Sequence, residues 1–238
     1  MTERSFVDQE LADNLQRVED TIQTACAEAG RDRSSVTLLA VTKTVEPERI
    51  NQAIAWGIRQ IGENRVQEYK AKQPFLHLEG VARHLIGHLQ TNKVRQIIGQ
   101  VDMIQSVDSI HLAQEISRRS TEAGIVTPIL VEVNIGGEEA KSGVAPEALE
   151  ELLAAAAPLP GLHVRGLMTV PPILPTEKEK RAIFSKMYQL FVDIRDKNID
   201  NIDMLELSMG MSGDYREAIL EGATIVRVGS AIFGRRQY

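Results

Sequence analysis

The chain has 238 residues, 43% hydrophobic and 25% charged, an ordinary globular composition that excludes collagen-like and disordered classes. Twenty-seven basic against thirty-three acidic residues leave a net charge of -6, and 4% of residues are aromatic, so neither the basic face nor the stacking platform of a nucleic-acid binder is present. No stretch approaches the roughly 18–20 apolar residues of a membrane span, residues 1–6 lack the layout of a secretory signal, and the one cysteine, Cys26, allows no internal disulfide, so a cytoplasmic protein is expected.

In chain order, Leu11, Leu15, Val18, Ile22 and Ala25 recur at helical spacing and Gly30 follows, which predicts an amphipathic N-terminal helix over 6–29. Val36 to Val41 is a nearly continuous apolar run, suited to a parallel strand buried on both faces. Pro47 then opens a helix carrying Ile50, Ala53 and Ile54 that closes at Gly57. Further apolar runs at 58–61, 84–86, 101–105, 128–133, 162–167, 202–207 and 224–228 alternate with helix-period segments at 64–72, 92–99, 109–123, 146–157, 177–196 and 213–221. Eight such strands predict an α/β protein, a (β/α)8 TIM barrel with an extra N-terminal helix, as a single domain over 1–238. The alternative, an open doubly wound sheet, lacks its fingerprint: Thr42-Lys43-Thr44-Val45-Glu46-Pro47 stands where a glycine-rich turn belongs. Pro171 to Pro175 reads as a rigid loop after the sixth strand.

In a barrel, chemistry gathers where strands end. Lys43 lies just past the first strand, at a partly desolvated mouth that favours the neutral amine of a Schiff-base lysine. The segment Leu207 to Asp214, read as the turn after strand seven, and Arg227 to Ala231, after strand eight, are both rich in Gly and Ser. Converging backbone N–H groups, hydroxyls and a helix N-terminus make a place for phosphate there. A Schiff-base lysine beside such a cradle leaves two options, a phosphorylated-sugar aldolase or a pyridoxal phosphate protein. Asn64, at the end of strand two, either faces the mouth or caps the next helix. His84 and His88 have no third ligand nearby, so no metal is expected. Glu138 and Lys141 are candidates for an ion pair at the mouth, and Arg235-Arg236 reads as a solvated end.

Val41-Thr42-Lys43, Gly62-Glu63-Asn64, His84 through Lys93, Gly166-Leu167-Met168, Leu207 through Asp214 and Val226 through Ser230 occur in this order. Together they resemble the pyridoxal phosphate homeostasis proteins, the YggS-like group related to the barrel domain of alanine racemase, over about residue 10 to the C-terminus. The resemblance implies a fold-type III barrel with pyridoxal 5′-phosphate (PLP) on Lys43 as a Schiff base. It further implies that Ser208, Ser212, Gly229 and Ser230 hold the phosphate and that Arg227 lies near the pyridine nitrogen, with Asn64 and His88 at the mouth. An arginine cannot accept the pyridinium proton, which leaves the ring a poorer electron sink. Racemisation in the alanine racemase manner also takes a tyrosine from a second domain. No such domain is expected after Tyr238, and Tyr69, Tyr188 and Tyr215 fall in predicted helices. The expected function is therefore PLP binding in vitamin B6 homeostasis, without robust catalysis, by a monomer whose partners are the cofactor and PLP-accepting apoenzymes. The alternative is a PLP-dependent amino-acid racemase of low activity.

Overall fold

A computed structural model describes residues 8–138 and 141–234. The start of the predicted first helix, Arg235-Arg236 and Tyr238 lie outside the described residues. Eight parallel strands close into a barrel in chain order: β1 (Thr37–Val41), β2 (Gln60–Glu63), β3 (Ala82–Leu85), β4 (Met103–Val107), β5 (Thr127–Glu132), β6 (Leu162–Met168), β7 (Ile202–Met211) and β8 (Ile225–Val228). Closure runs from Thr37 opposite Ile225 to Ala40 opposite Val228. The helices are α1 (Gln9–Glu28), α2 (Pro47–Trp56), α3 (Val66–Lys72), α4 (Ile110–Glu122), α5 (Leu149–Ala156), α6 (Glu177–Asp196), α7 (Tyr215–Leu220) and α8 (Ser230–Phe233).

The N-terminal helix is present as expected. Its Leu11, Leu15, Val18, Ile22 and Ala25 are buried, and α1 packs against α2, α7 and α8. Asn14 Nδ2 donates to the Ile232 carbonyl at 3.0 Å, tying α1 to α8. At α6, Thr176 and Glu179 form a reciprocal capping box, which fixes the helix start at Glu177.

Three segments differ from their sequence reading. In place of the helix expected over 92–99 there is a 3₁₀ turn at Thr91–Gln96; it has no side-chain cap at its start, its C-cap is Ile97, and Gly99 at φ 73° follows in the turn beyond. The segment 146–157 is a 3₁₀ turn at Pro146–Ala148 leading into α5. Most consequential, β7 does not stop at 207 but runs on to Met211. Gly210 makes this possible: it sits at φ +90°, and a Cβ there would come within 2.5 Å of Ala218 Cβ and 2.9 Å of Tyr215 Cα. The pairing with β8 shifts register between Ser208 and Met211, so this glycine marks a bulge in a strand.

Successive side chains of a strand face opposite ways. One set packs outward into the layer beneath the helices, the main core. The other set fills the barrel as two separate apolar clusters: Leu39, Val41, Ile86 and Ile225 on one side, Met103, Leu130 and Met168 on the other. Gly62 belongs to this packing, since a Cβ there would lie 2.4 Å from Leu39 Cδ2. Between the two clusters runs a polar seam.

Candidate functional site

The C-terminal ends of the strands surround a cleft of about 920 Å³, within the size range of small-molecule sites. Lys43, Asn64, Ser212, Arg227, Gly229 and Ser230 all line it. Six of the seven predicted site residues are thus brought together from β1, β2, β7 and β8, across the seam where the barrel closes.

On one wall, Lys43 lies two residues past the end of β1 and is half-buried. The next residue, Thr44, has φ +62°, a conformation a β-branched side chain adopts only under strain. Asn64 follows β2. The cap position of α3 is Arg65, without a side-chain bond, so Asn64 is a mouth residue and no helix cap. Its Oδ1 is buried without a hydrogen-bond partner, an acceptor that calls for a ligand N–H or O–H.

The opposite wall is built from backbone. The N–H groups of Gly229 and Ala231 both donate to Ser212 Oγ, at 3.1 and 3.2 Å. With both lone pairs engaged, that hydroxyl has only its own proton left to offer. Ser230 opens α8 beside it and is exposed to the cleft. The loop behind is held twice: Asp214 Oδ1 accepts from Met211 N at 2.6 Å, and Lys180 Nζ donates to the Gly213 carbonyl at 2.8 Å. The Ser212 hydroxyl proton and the exposed Ser230 at the start of α8 are the donors this wall presents, and they suit an anion.

The floor carries the polar seam. Arg227 is buried; its Nη1 donates to Ser208 Oγ and its Nη2 to the Thr169 carbonyl, each at 2.7 Å. Ser208 Oγ donates onward to Gln105 Oε1 at 2.7 Å, and Gln105 Nε2 lies 2.8 Å from His84 Nδ1. Burial lowers the Arg227 guanidinium to about 10, opposed by the nearby Glu132 and Asp214 carboxylates, so it stays charged at neutral pH. Burial raises Glu132 to about 7, with Asp108 adding to the rise and Arg227 opposing it. Burial also lowers His84 to about 4.

Ser208 is therefore placed differently from its sequence reading. Because β7 continues through the Gly210 bulge, Ser208 is a strand residue with no exposed surface, and it is absent from the cleft lining. Its hydroxyl serves Arg227 and Gln105. His88 is also off the cleft, exposed and 3.6 Å from Asp108. Glu138 and Lys141 do pair, at 2.5 Å. Among the described residues no tyrosine lines the cleft; Tyr69 is buried, with its hydroxyl on the Gln100 carbonyl at 2.7 Å. Gln105 escaped sequence reasoning altogether, since no spacing connects it to a serine 103 positions away.

Residues 13–237 match the family described as alanine racemase, N-terminal domain. A pyridoxal phosphate homeostasis protein of Aquifex aeolicus is 45% identical over 226 residues, spanning 95% of this chain and 98% of the relative. The structure of PipY from Synechococcus elongatus, solved with PLP bound, is similar at a TM-score of 0.83 and 34% identity, covering 94% of this chain and 100% of that one. An alanine racemase of Clostridium difficile shares the fold at a TM-score of 0.72 and 16% identity, over 97% of this chain and 60% of the racemase.

Proposed function

The chain belongs to the pyridoxal phosphate homeostasis proteins, within the alanine racemase N-terminal domain family, and from that premise we propose that it binds PLP in its cleft, anchors it on Lys43, and serves vitamin B6 balance. The observation that carries this reading is one cleft holding a strand-end lysine on one wall and, on the other, a serine hydroxyl oriented by two backbone N–H groups.

The residues fit the group. The Ser212 hydroxyl and Ser230 would hold the phosphate, close to Gly229, where a Cβ would press to 3.2 Å against Val41 Cβ. The orphaned Asn64 Oδ1 would accept from the ring hydroxyl. Arg227, charged and donor-only, would face the ring nitrogen and leave it unprotonated. Ser208 acts one step back, as the anchor of Arg227 rather than a phosphate ligand. When bound, the cofactor supplies an aldehyde that a lysine amine captures reversibly. Holding, rather than turnover, is the role Arg227 suits, because it withholds the ring protonation that would stabilise a carbanion.

The proposal extends to a cytoplasmic monomer that releases PLP to apoenzymes. No helix among the described residues is long and apolar enough to cross a membrane, which agrees with that setting. The test is an absorption spectrum of the purified, PLP-loaded protein before and after borohydride, with peptide mapping. A visible band that bleaches and leaves the reduced adduct on Lys43 is expected; the Lys43→Ala variant retains weakened noncovalent binding. A protein that takes up no PLP overturns the reading, and racemisation of alanine well above the Lys43→Ala control replaces holding with catalysis.

A further inference from the structure

A second lysine lies behind Lys43. Lys72 closes α3, its side chain is 12% exposed, and its Nζ lies within hydrogen-bond distance of three oxygens: the Thr42 carbonyl at 2.8 Å, Glu63 Oε1 at 2.9 Å and Glu68 Oε1 at 2.6 Å. An ammonium has three donors and no acceptor, so this one is fully engaged. Glu63, 2% exposed, also accepts from Thr42 Oγ1 at 2.7 Å. Its other oxygen is buried without a partner, and burial raises its pKa despite Lys72. A buried carboxylate with an unsatisfied oxygen is costly to the fold, so the arrangement calls for a reason beyond stability.

The chain on either side of Lys43 supplies one. The Thr42 carbonyl belongs to the peptide group preceding Lys43, and it is bound by Lys72 directly. The Thr44 N–H belongs to the peptide group following Lys43, and it donates to Glu68 Oε1, the atom that also accepts from Lys72. One of the two peptide planes flanking Lys43 is thus fastened to the Lys72 ammonium directly, beside the Val45 N–H that the Thr42 carbonyl also accepts at 3.0 Å, and the other is fastened through Glu68. The second plane is the strained one, because Thr44 holds φ +62°, and such a conformation persists only where its surroundings over-determine it.

We propose that Lys72, acting with Glu63 and Glu68, is the positioning residue for Lys43, fixing the strained turn that aims its amine into the cleft. The inference rests on the PLP-binding reading above. Lys72 does not itself react; its three donors are committed to Thr42, Glu63 and Glu68, which leaves capture to Lys43.

The experiment compares wild type, Lys72→Met, which keeps the length without the charge, and Lys72→Arg, which keeps the charge. Two quantities are read on apo-protein: the rate at which PLP is captured on Lys43, by borohydride quenching and peptide mapping, and the equilibrium affinity for a phosphorylated pyridine analogue that lacks the aldehyde. A misdirected amine slows the first by about 10- to 100-fold and leaves the second within twofold, and Lys72→Arg restores part of the rate. Should Lys72→Met fail to fold, Glu68→Ala removes the Thr44 anchor and is expected to show the same split. Unchanged capture, or equal loss of both quantities, overturns the positioning role. A wild type that captures no PLP on Lys43 instead overturns the functional reading, so the two failures are told apart.

Discussion

The two walls of the cleft are built on opposite plans. The lysine wall depends on side chains gathered from distant elements: Lys72, Glu63 and Glu68 converge on the peptides around Lys43. The phosphate wall depends on the main chain, with the Gly229 and Ala231 N–H groups meeting one serine hydroxyl. A reactive amine must be aimed, and aiming takes rigid partners whose charge and length matter. An anion needs a hydroxyl proton pointed at it, and here two backbone N–H groups do the pointing by occupying both lone pairs of Ser212. The first wall should therefore break by loss of charge, the second by added volume.

The largest effect is expected from added volume at the bulge. Gly210→Ala puts a methyl group 2.5 Å from Ala218 Cβ and 2.9 Å from Tyr215 Cα, at φ +90°. Strain at such a site costs about 1–3 kcal/mol before the collision is counted, so urea unfolding should show a clear loss of stability. Residual folded protein should bind PLP weakly, because the displaced strand end carries Ser212. Next comes Ser212→Ala, which removes a donor to a charged group worth about 1.5–3 kcal/mol. PLP affinity should fall about 10- to 100-fold, while unphosphorylated pyridoxal is barely affected. Ser208→Ala should act more mildly and without that discrimination, weakening both ligands alike through Arg227. Loss of PLP affinity alone would return Ser208 to the phosphate site.

The smallest effect in the wild type hides two larger ones beneath the cleft. His84 is held at about 4 against an ordinary 6.5, so its contribution to stability is complete above pH 6.5 and is lost as the pH falls toward 4. Glu132 is held at about 7 against 4.5, so its contribution is complete below pH 4.5 and is lost as the pH rises toward 7. Across the shared window the two oppose one another. Glu132→Gln should unmask destabilisation by acid, and His84→Gln destabilisation by rising pH, in denaturant midpoints measured from pH 4 to 7. Parallel profiles in the two variants would refute the opposition.

Much of this architecture was legible from one chain. Continuous apolar runs such as Val36 to Val41 identify strands buried on both faces, and helix-period segments between them give the barrel. The cleft positions of Lys43, Ser212, Gly229 and Ser230 were legible, the first because a strand end is where a barrel displays its chemistry and the others because glycine and serine gather at such turns. Ser208 was misread for the same reason: glycine in Leu207 to Asp214 suggests a turn, whereas Gly210 carries a strand through a bulge and turns the serine inward. The side-chain clamps were not legible. Lys72 sits in an ordinary charged helix end, and Gln105 in an ordinary strand; each acquires its role only from partners that closure of the barrel brings near. Glu63 stood in a motif with Asn64, yet its engagement by Thr42 and Lys72 has no local signature.

The seam of hydrogen bonds through the barrel has a direction. Arg227 can only donate, so Ser208 must direct its own O–H as a donor to Gln105 Oε1, and the Gln105 amide must then present its nitrogen to His84 Nδ1. The imidazole is thereby held in a single tautomer, with its proton on Nε2. One end of the barrel thus carries a spectroscopic record of the other: nitrogen chemical shifts of a single buried ring report, without a label in the cleft, whether the guanidinium beneath the cofactor keeps its grip.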